Sequence, residues 1–230
     1  MTRLAYTLDV YCAHMSDTRF DRNFLTAIRE NACSGMFSDL TDGNSRVRIW
    51  SNFKSTGNQN ILGVVRTVEI ESVITSDENL AIGLPFLDLL NTGDVFVVKG
   101  ADNFAYFGEM MANLAMRVGV VGALVFGASR DSRAIEKLNF PLFATSFNPI
   151  DIKGRGRVKA VDVSFFIEGY EVAPFSWVFA DSDGVVCFPA DLAEDILANV
   201  SILIDKEKLI LKQIAENVSG DELARIHEGF

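Results

Sequence analysis

Four residues in the middle of the chain have types and spacing that suit chemistry. Gly108-Glu109 opens one predicted helix, and Arg130-Asp131 stands side by side after an apolar run, twenty-one residues beyond Glu109. The backbone N–H groups of Glu109, Met110 and Met111 would lie in the first turn of that helix, outside its internal ladder, and so suit a carboxylate or phosphate. Arg130 offers a planar fork for a second contact to an oxyanion. Asp131 and Glu109 are hard oxygen donors, matched to Mg²⁺ or Mn²⁺ held mostly by water. A plainer reading competes. Asp131 can be the N-cap of the helix that follows, Arg130 its solvated neighbour, and Glu109 a residue favoured near the positive end of a helix dipole.

The elements around these residues would bring them together. "GDVFVVKG" (93–100) reads as a buried strand. In "GEMMANLAMRVG" (108–119), Met111, Leu114, Ala115 and Val118 share one helical face, and Gly119 suits the helix end. "VVGALVF" (120–126) is a second buried strand, "SRAIEKL" (132–138) a short helix and "FPLFATSF" (140–147) a third strand. Strand, helix, strand, helix, strand at this spacing implies parallel β-α-β units. In such sheets ligands bind beyond the carboxyl ends of the strands, where both candidate segments fall.

Outside this centre, residues 21–33 read as a helix, "NILGVVRTVEIE" (60–71) as a strand and "NLAIGLPFLDLL" (79–90) as a short interrupted helix. Residues 101–107 read as an aromatic loop. From 156 to 189, alternating segments broken by Gly169, Pro174 and Asp183-Gly184 suggest antiparallel sheet. A long helix is expected from about Pro189 to Asn217, with proline in its first turn. The expected organisation is one domain over 1–230, with an N-terminal helical extension (1–58) and C-terminal helices (189–230).

Composition narrows the function classes. Hydrophobic residues make up 49% and phenylalanine contributes 18 positions, which calls for a large core, a subunit interface or both. The net charge of −10 disfavours broad nucleic-acid binding. No apolar run reaches the roughly 18 residues needed for a membrane span, and the N-terminus lacks a signal-peptide pattern. Cys12, Cys33 and Cys187 are odd in number and widely spaced, so free thiols in a reducing, cytoplasmic setting are expected. Asp181-Ser182-Asp183-Gly184 reads as a hairpin turn, because no glutamate completes a calcium loop. No glycine-rich dinucleotide loop follows a strand.

The stretch "FGEMMANLAMRVGVVGALVFGASRDSRAIEKLNFPLFA" resembles the RraA-like family, which includes class II 4-hydroxy-4-methyl-2-oxoglutarate aldolases and regulators of ribonuclease activity. The likeness extends through "NPIDIKGRGRV" and "VFADSDGVVCFP", and back to "NILGVVRTV", covering roughly residues 60 to 210. It implies an α/β fold of three layers, β/β/α, of the swivelling-domain kind, and a ring-shaped homotrimer with active sites between subunits. It also implies a divalent metal, Mg²⁺ or Mn²⁺, on Asp131 and a 2-oxo acid substrate cleaved through a pyruvate enolate. Arg130 would bind substrate and stabilise developing charge. Glu109 would orient water on the metal, and Gly108, Glu109, Met110 and Met111 would hold the substrate carboxylate. Lys153 matches a substrate-side lysine, and Glu207 an acidic residue supplied by a neighbouring subunit. The alternative that the family carries is a non-catalytic regulator that inhibits a ribonuclease or another enzyme. The chain departs from the pattern at Pro174-Phe175-Ser176, at Lys99 and in the aromatic loop, features that bear on substrate identity.

Overall fold

The computed structural model describes residues 20–73 and 84–227. Two helices come first, α1 (Arg22–Asn31) and α2 (Ser34–Thr41), then strands β1 (Arg48–Trp50), β2 (Lys54–Ser55) and β3 (Ile61–Ser72). After the short α3 (Leu84–Leu87) come β4 (Asp94–Lys99), β5 (Ala105–Phe107), α4 (Glu109–Arg117), β6 (Gly122–Ser129), α5 (Ser132–Lys137) and β7 (Leu142–Phe147). The second half contains β8 (Gly156–Val161), β9 (Phe165–Ile167), β10 (Tyr170–Val172), β11 (Trp177–Ala180) and β12 (Val185–Phe188). A single turn of 3-10 helix then leads into α6 (Ala193–Ala215), followed by α7 (Gly220–Ile226).

The molecule is mixed α/β. One sheet runs β1-β12-β11-β3-β4-β6-β7-β2, with β5 beside β6 and β8 beside β3. The pairs β3–β4, β4–β6, β5–β6 and β6–β7 are parallel. The pairs β8–β3, β11–β3, β11–β12 and β1–β12 are antiparallel, and β9 and β10 form a separate hairpin. The parallel centre and the antiparallel second half therefore fall where the sequence places them. The central strands have period-two side chains buried on both sides. Val95 and Val97 join Val65, Leu124, Phe126 and Val178 in one core, while Phe96 and Val98 face the other way, with Val125 of β6, Ala112 and Ala115 of α4 and Ile135 of α5. A third core lies between α1, α2 and α6 and the strand residues Leu62, Trp177, Phe179, Val186 and Phe188.

Three expectations change. Residues 1–58 are not helical throughout: β1 and β2 join the sheet by pairing with β12 and β7. Residues 101–107 are not an open loop, because Phe104 and Phe107 are fully buried and Ala105–Phe107 is a strand against β6. β6 itself continues through Gly127-Ala128-Ser129, where the sequence reading ends it. Gly127 has φ +141°, and a Cβ there would lie 2.7 Å from the Ala101 nitrogen, so only glycine lets the strand pass that loop. The part of the 79–90 helix before residue 84 lies outside the described residues. Among the described residues no helix is long and apolar enough to cross a membrane.

Candidate functional site

The carboxyl ends of β5, β6 and β7 and the first turn of α4 meet at one edge of the sheet. Backbone bonds tie them together. Arg130 N and Ser129 Oγ both donate to the Phe107 carbonyl, at 3.0 Å and 2.8 Å, and Asn148 N donates to the Ser129 carbonyl at 2.9 Å. These bonds set the loop carrying Arg130-Asp131 directly against Gly108-Glu109. Gly108 leaves room for this approach: a Cβ there would sit 2.7 Å from Asp131 Oδ2 and 3.0 Å from Arg130 Cγ, and both side chains would have to shift.

Asp131 is the structural oddity of the site. Its backbone is left-handed, φ 59° and ψ 30°, a conformation that costs most non-glycine residues energy and that aspartate tolerates better than most. By position it is the N-cap of α5, and its carbonyl accepts from Ala134 N and Ile135 N. Its side chain makes no capping bond to α5. Instead Asp131 Oδ2 accepts from Glu109 N at 3.2 Å, at the start of α4, and lies 3.5 Å from Arg130 Nε. The capping reading of the sequence thus holds for the backbone and fails for the carboxylate.

The other end of the Arg130 guanidinium is also held. Its Nη1 donates to Oδ2 of Asp151, a residue the sequence reading did not single out. Asp151 is built into its loop: its Oδ1 accepts from Lys153 N at 2.8 Å, its carbonyl accepts from Arg155 Nη1 at 3.2 Å, and its backbone bridges to Ala105 of β5. Partial burial pushes its carboxyl up, but the Lys153 N–H and the Arg130 guanidinium outweigh burial and hold it below the ordinary aspartate value. The signal for it was available: Asp151 follows β7 at the same sheet edge that singled out Arg130.

Arg130, Asp131, Ser132, Phe147, Asn148 and Pro149 line a cleft of about 290 Å³ beside this cluster. The side chains of Arg130 and Asp131 are 32% and 43% exposed, within reach of a ligand. Gly108, Glu109, Arg130 and Asp131 are therefore brought together as expected. Met110 is exposed, and Met111 turns its side chain into the core, so only their N–H groups face the helix start. Lys153 is exposed on the adjoining loop. Glu207 stands exposed on α6, whose buried residues pack with α1 and α2, and it shares no hydrogen bond or ion pair with the cluster. Among the described residues no three His, Cys, Asp or Glu side chains converge as a metal-binding group.

Known proteins resemble this chain in sequence and in fold. Residues 27–187 match the model of the RraA-like family, described as Aldolase/RraA. A protein of Halalkalibacterium halodurans, named as a candidate 4-hydroxy-4-methyl-2-oxoglutarate aldolase, is 29% identical over 207 residues, 89% of this chain and 93% of its own length. The structure of the RNA-processing inhibitor RraA of Thermus thermophilus is 30% identical, covers 66% of this chain and 92% of its own, and superposes with a TM-score of 0.56. An uncharacterised protein of Pseudomonas syringae shares the fold, with a TM-score of 0.77 at 21% identity over 90% of this chain and 95% of its own. On the match over residues 27–187, which contains the whole Gly108-to-Asp151 cluster, this chain is a member of the RraA-like family.

Proposed function

We propose that the protein is a divalent-metal-assisted lyase acting on a 2-oxo acid, by retro-aldol cleavage or by decarboxylation of an oxaloacetate-like acid. The observation that carries this reading is the left-handed Asp131, whose carboxylate does not cap its own helix. Its carboxylate is turned away from its own helix toward Gly108-Glu109 and Arg130, beside an open cleft. A left-handed aspartate also occurs in this chain at a structural position, Asp162, so the weight rests on the direction of the Asp131 carboxylate.

The donor set fits a hydrated ion and not a caged one. Asp131 is a partly exposed hard donor, and no second and third side-chain ligands converge on it among the described residues. Asp131 would hold Mg²⁺ or Mn²⁺, with Glu109 at the same rim accepting hydrogen bonds from water. The ion, when bound, supplies Lewis-acid polarisation of the substrate's keto and carboxylate oxygens. Arg130 would place a fixed positive charge beside a developing enolate oxygen, and the Met110 and Met111 N–H groups, left over once Glu109 N donates to Asp131, would take the substrate carboxylate. Lys153 lies at the outer rim. The reading needs no Schiff-base lysine.

The working form in this reading is a cytoplasmic homotrimer or a multiple of it, with Glu207 of one protomer serving the cleft of the next. The large apolar residues left exposed on α6, including Ile202, Leu209 and Leu211, support an interface there. A second reading, inhibition of a ribonuclease by docking, draws on the likeness to the RNA-processing inhibitor. Pyruvate release from 4-hydroxy-4-methyl-2-oxoglutarate and from oxaloacetate, with and without EDTA, separates the two. The lyase releases pyruvate and loses that activity to EDTA. Arg130→Lys weakens both turnover and oxalate binding, because an ammonium cannot reproduce the planar fork. Absence of turnover, together with absence of oxalate binding in calorimetry with Mg²⁺ or Mn²⁺ at millimolar concentration, leaves the docking reading.

A further inference from the structure

We infer that Asp151 is a positioning residue: it holds the Arg130 guanidinium off the neighbouring Asp131 carboxylate, and so keeps that carboxylate open to a cation. The inference rests on the reading that Asp131 holds the metal ion, and adds the residue that stops Arg130 from taking the ion's place.

Arg130 and Asp131 are adjacent in the chain, opposite in charge, and line the same partly exposed cleft. Left to themselves, such side chains close into a pair, and a guanidinium fork can cover both oxygens of a carboxylate. Here they stand apart. Arg130 Nε lies 3.5 Å from Asp131 Oδ2, longer than a good hydrogen bond, and a small turn of the arginine would close the gap. Nη1 donates to Asp151 Oδ2 instead. Asp131 Oδ2 accepts from Glu109 N, and Asp131 Oδ1 accepts no hydrogen bond among the described residues.

Asp151 can resist the closure because its own place does not depend on Arg130. Its Oδ1 accepts from Lys153 N at 2.8 Å. On either side of it, Ala105 N donates to the Ile150 carbonyl at 2.8 Å and Ile152 N donates to the Ala105 carbonyl at 3.2 Å, so β5 grips the loop before and after the residue. Arg155 sends its Nη1 to the Asp151 and Lys153 carbonyls and leaves the Asp151 carboxylate to Arg130. The near end of Arg130 is also fixed: its backbone N donates to the Phe107 carbonyl at 3.0 Å, and its stem lies over Gly108. The guanidinium is thus stretched between two anchors, with Asp131 beside it. Removing the Asp151 charge acts twice in one direction. It releases the guanidinium toward Asp131, and it leaves a positive charge uncompensated next to the place of the ion.

The test reads Mn²⁺ binding to the full chain without any organic ligand, from the electron paramagnetic resonance signal of the free ion. Four proteins are compared: the wild type, Asp151→Asn, Arg130→Ala and the double variant. Asp151→Asn keeps an oxygen for the Lys153 N–H and removes the charge that holds Nη1. It should weaken Mn²⁺ binding about tenfold. In the Arg130→Ala background there is no guanidinium to release, and the same change should weaken binding by about twofold or less. Unchanged or tighter binding in Asp151→Asn overturns the inference. An equal loss in both backgrounds also overturns it, because the Asp151 charge would then act without Arg130. If Asp151→Asn fails to fold, Asp151→Ser, whose hydroxyl can also accept from Lys153 N, takes its place in the comparison with the same expectations. Each of these overturning results leaves the lyase reading standing. A wild type that binds no Mn²⁺ at millimolar concentration removes both.

Discussion

Asp131 divides its groups between two helices, with the carbonyl at the start of α5 and the carboxylate at the start of α4. This division makes its role testable apart from folding. Removing the carboxylate in Asp131→Ala leaves the α5 backbone bonds in place and frees one N–H of α4, a loss of about 1 kcal/mol, with about 1 kcal/mol more for alanine in the left-handed backbone. The expected outcome is loss of pyruvate release, with a thermal transition lowered by only a few degrees and an unchanged oligomer. A variant that unfolds outright, or that still turns over, would return Asp131 to a structural role. Cys187 offers a contrasting residue. It is fully buried on β12, with Ser176 Oγ 3.7 Å from its sulfur, and burial pushes its thiol up to about 11. A raised thiol stays neutral and unreactive until pH approaches that value. Alkylation followed by peptide mass spectrometry at pH 7.5 should label the exposed Cys33 and spare Cys187 until denaturant is added. Rapid labelling of Cys187 in the native protein would mean that the sheet edge near β12 opens readily.

Among the elements, β3 and β4 depend on one buried ionic group. Arg66 of β3 is 1% exposed and reaches Asp94 at 2.9 Å and Asp162 at 2.6 Å, with its guanidinium also 5.4 Å from the Phe86 ring. Burial holds the Asp94 carboxyl above its ordinary value despite the hydrogen bonds from Asn91 N and Arg66. Arg66→Met strips both carboxylates of their cation inside the protein, at a cost of about 3–5 kcal/mol in unfolding free energy. The sign with pH follows because Arg66 holds the Asp94 value down against burial, so removing it raises the folded value further above that of the wild type. Asp94 is protonated in both states below its unfolded value near 4, and the penalty grows as pH rises through the higher folded value. Denaturant melts of Arg66→Met should therefore show a deficit that is smallest near pH 4 and largest near pH 7. A deficit independent of pH would assign the loss to packing alone. Sequence patterning misses β5 because it is three residues long, too short for alternation to register, and Phe104 and Phe107 read as loop aromatics until β6 is present to bury them.

At the scale of the whole molecule, a chain of 25.3 kDa leaves large apolar side chains exposed on α6 and on α7, Ile226 among them. The oligomer in the proposed function would cover part of this surface. Light scattering at micromolar concentration should give a mass three times that of the chain, or a multiple of it. A stable monomer would remove any part for Glu207 in the cleft of a neighbour.

The sequence by itself determined the parallel β-α-β centre, the antiparallel second half and the meeting of Gly108-Glu109 with Arg130-Asp131. The physical reason is that these follow from local signals: period-two and period-3.6 burial, helix caps, and the rule that loops after parallel strands gather at one sheet edge. Only the tertiary structure decided where each polar group of that edge points. The Asp131 carboxylate turns to another helix because Gly108 leaves room for it, and no spacing in the sequence records that space. Asp151 reaches Arg130 because a bridge to Ala105 holds its loop against β5, a contact between residues 46 positions apart. Likewise β1 and β2 are strands because β12 and β7 offer them partners, and the propensity of three or two residues could not decide that alone.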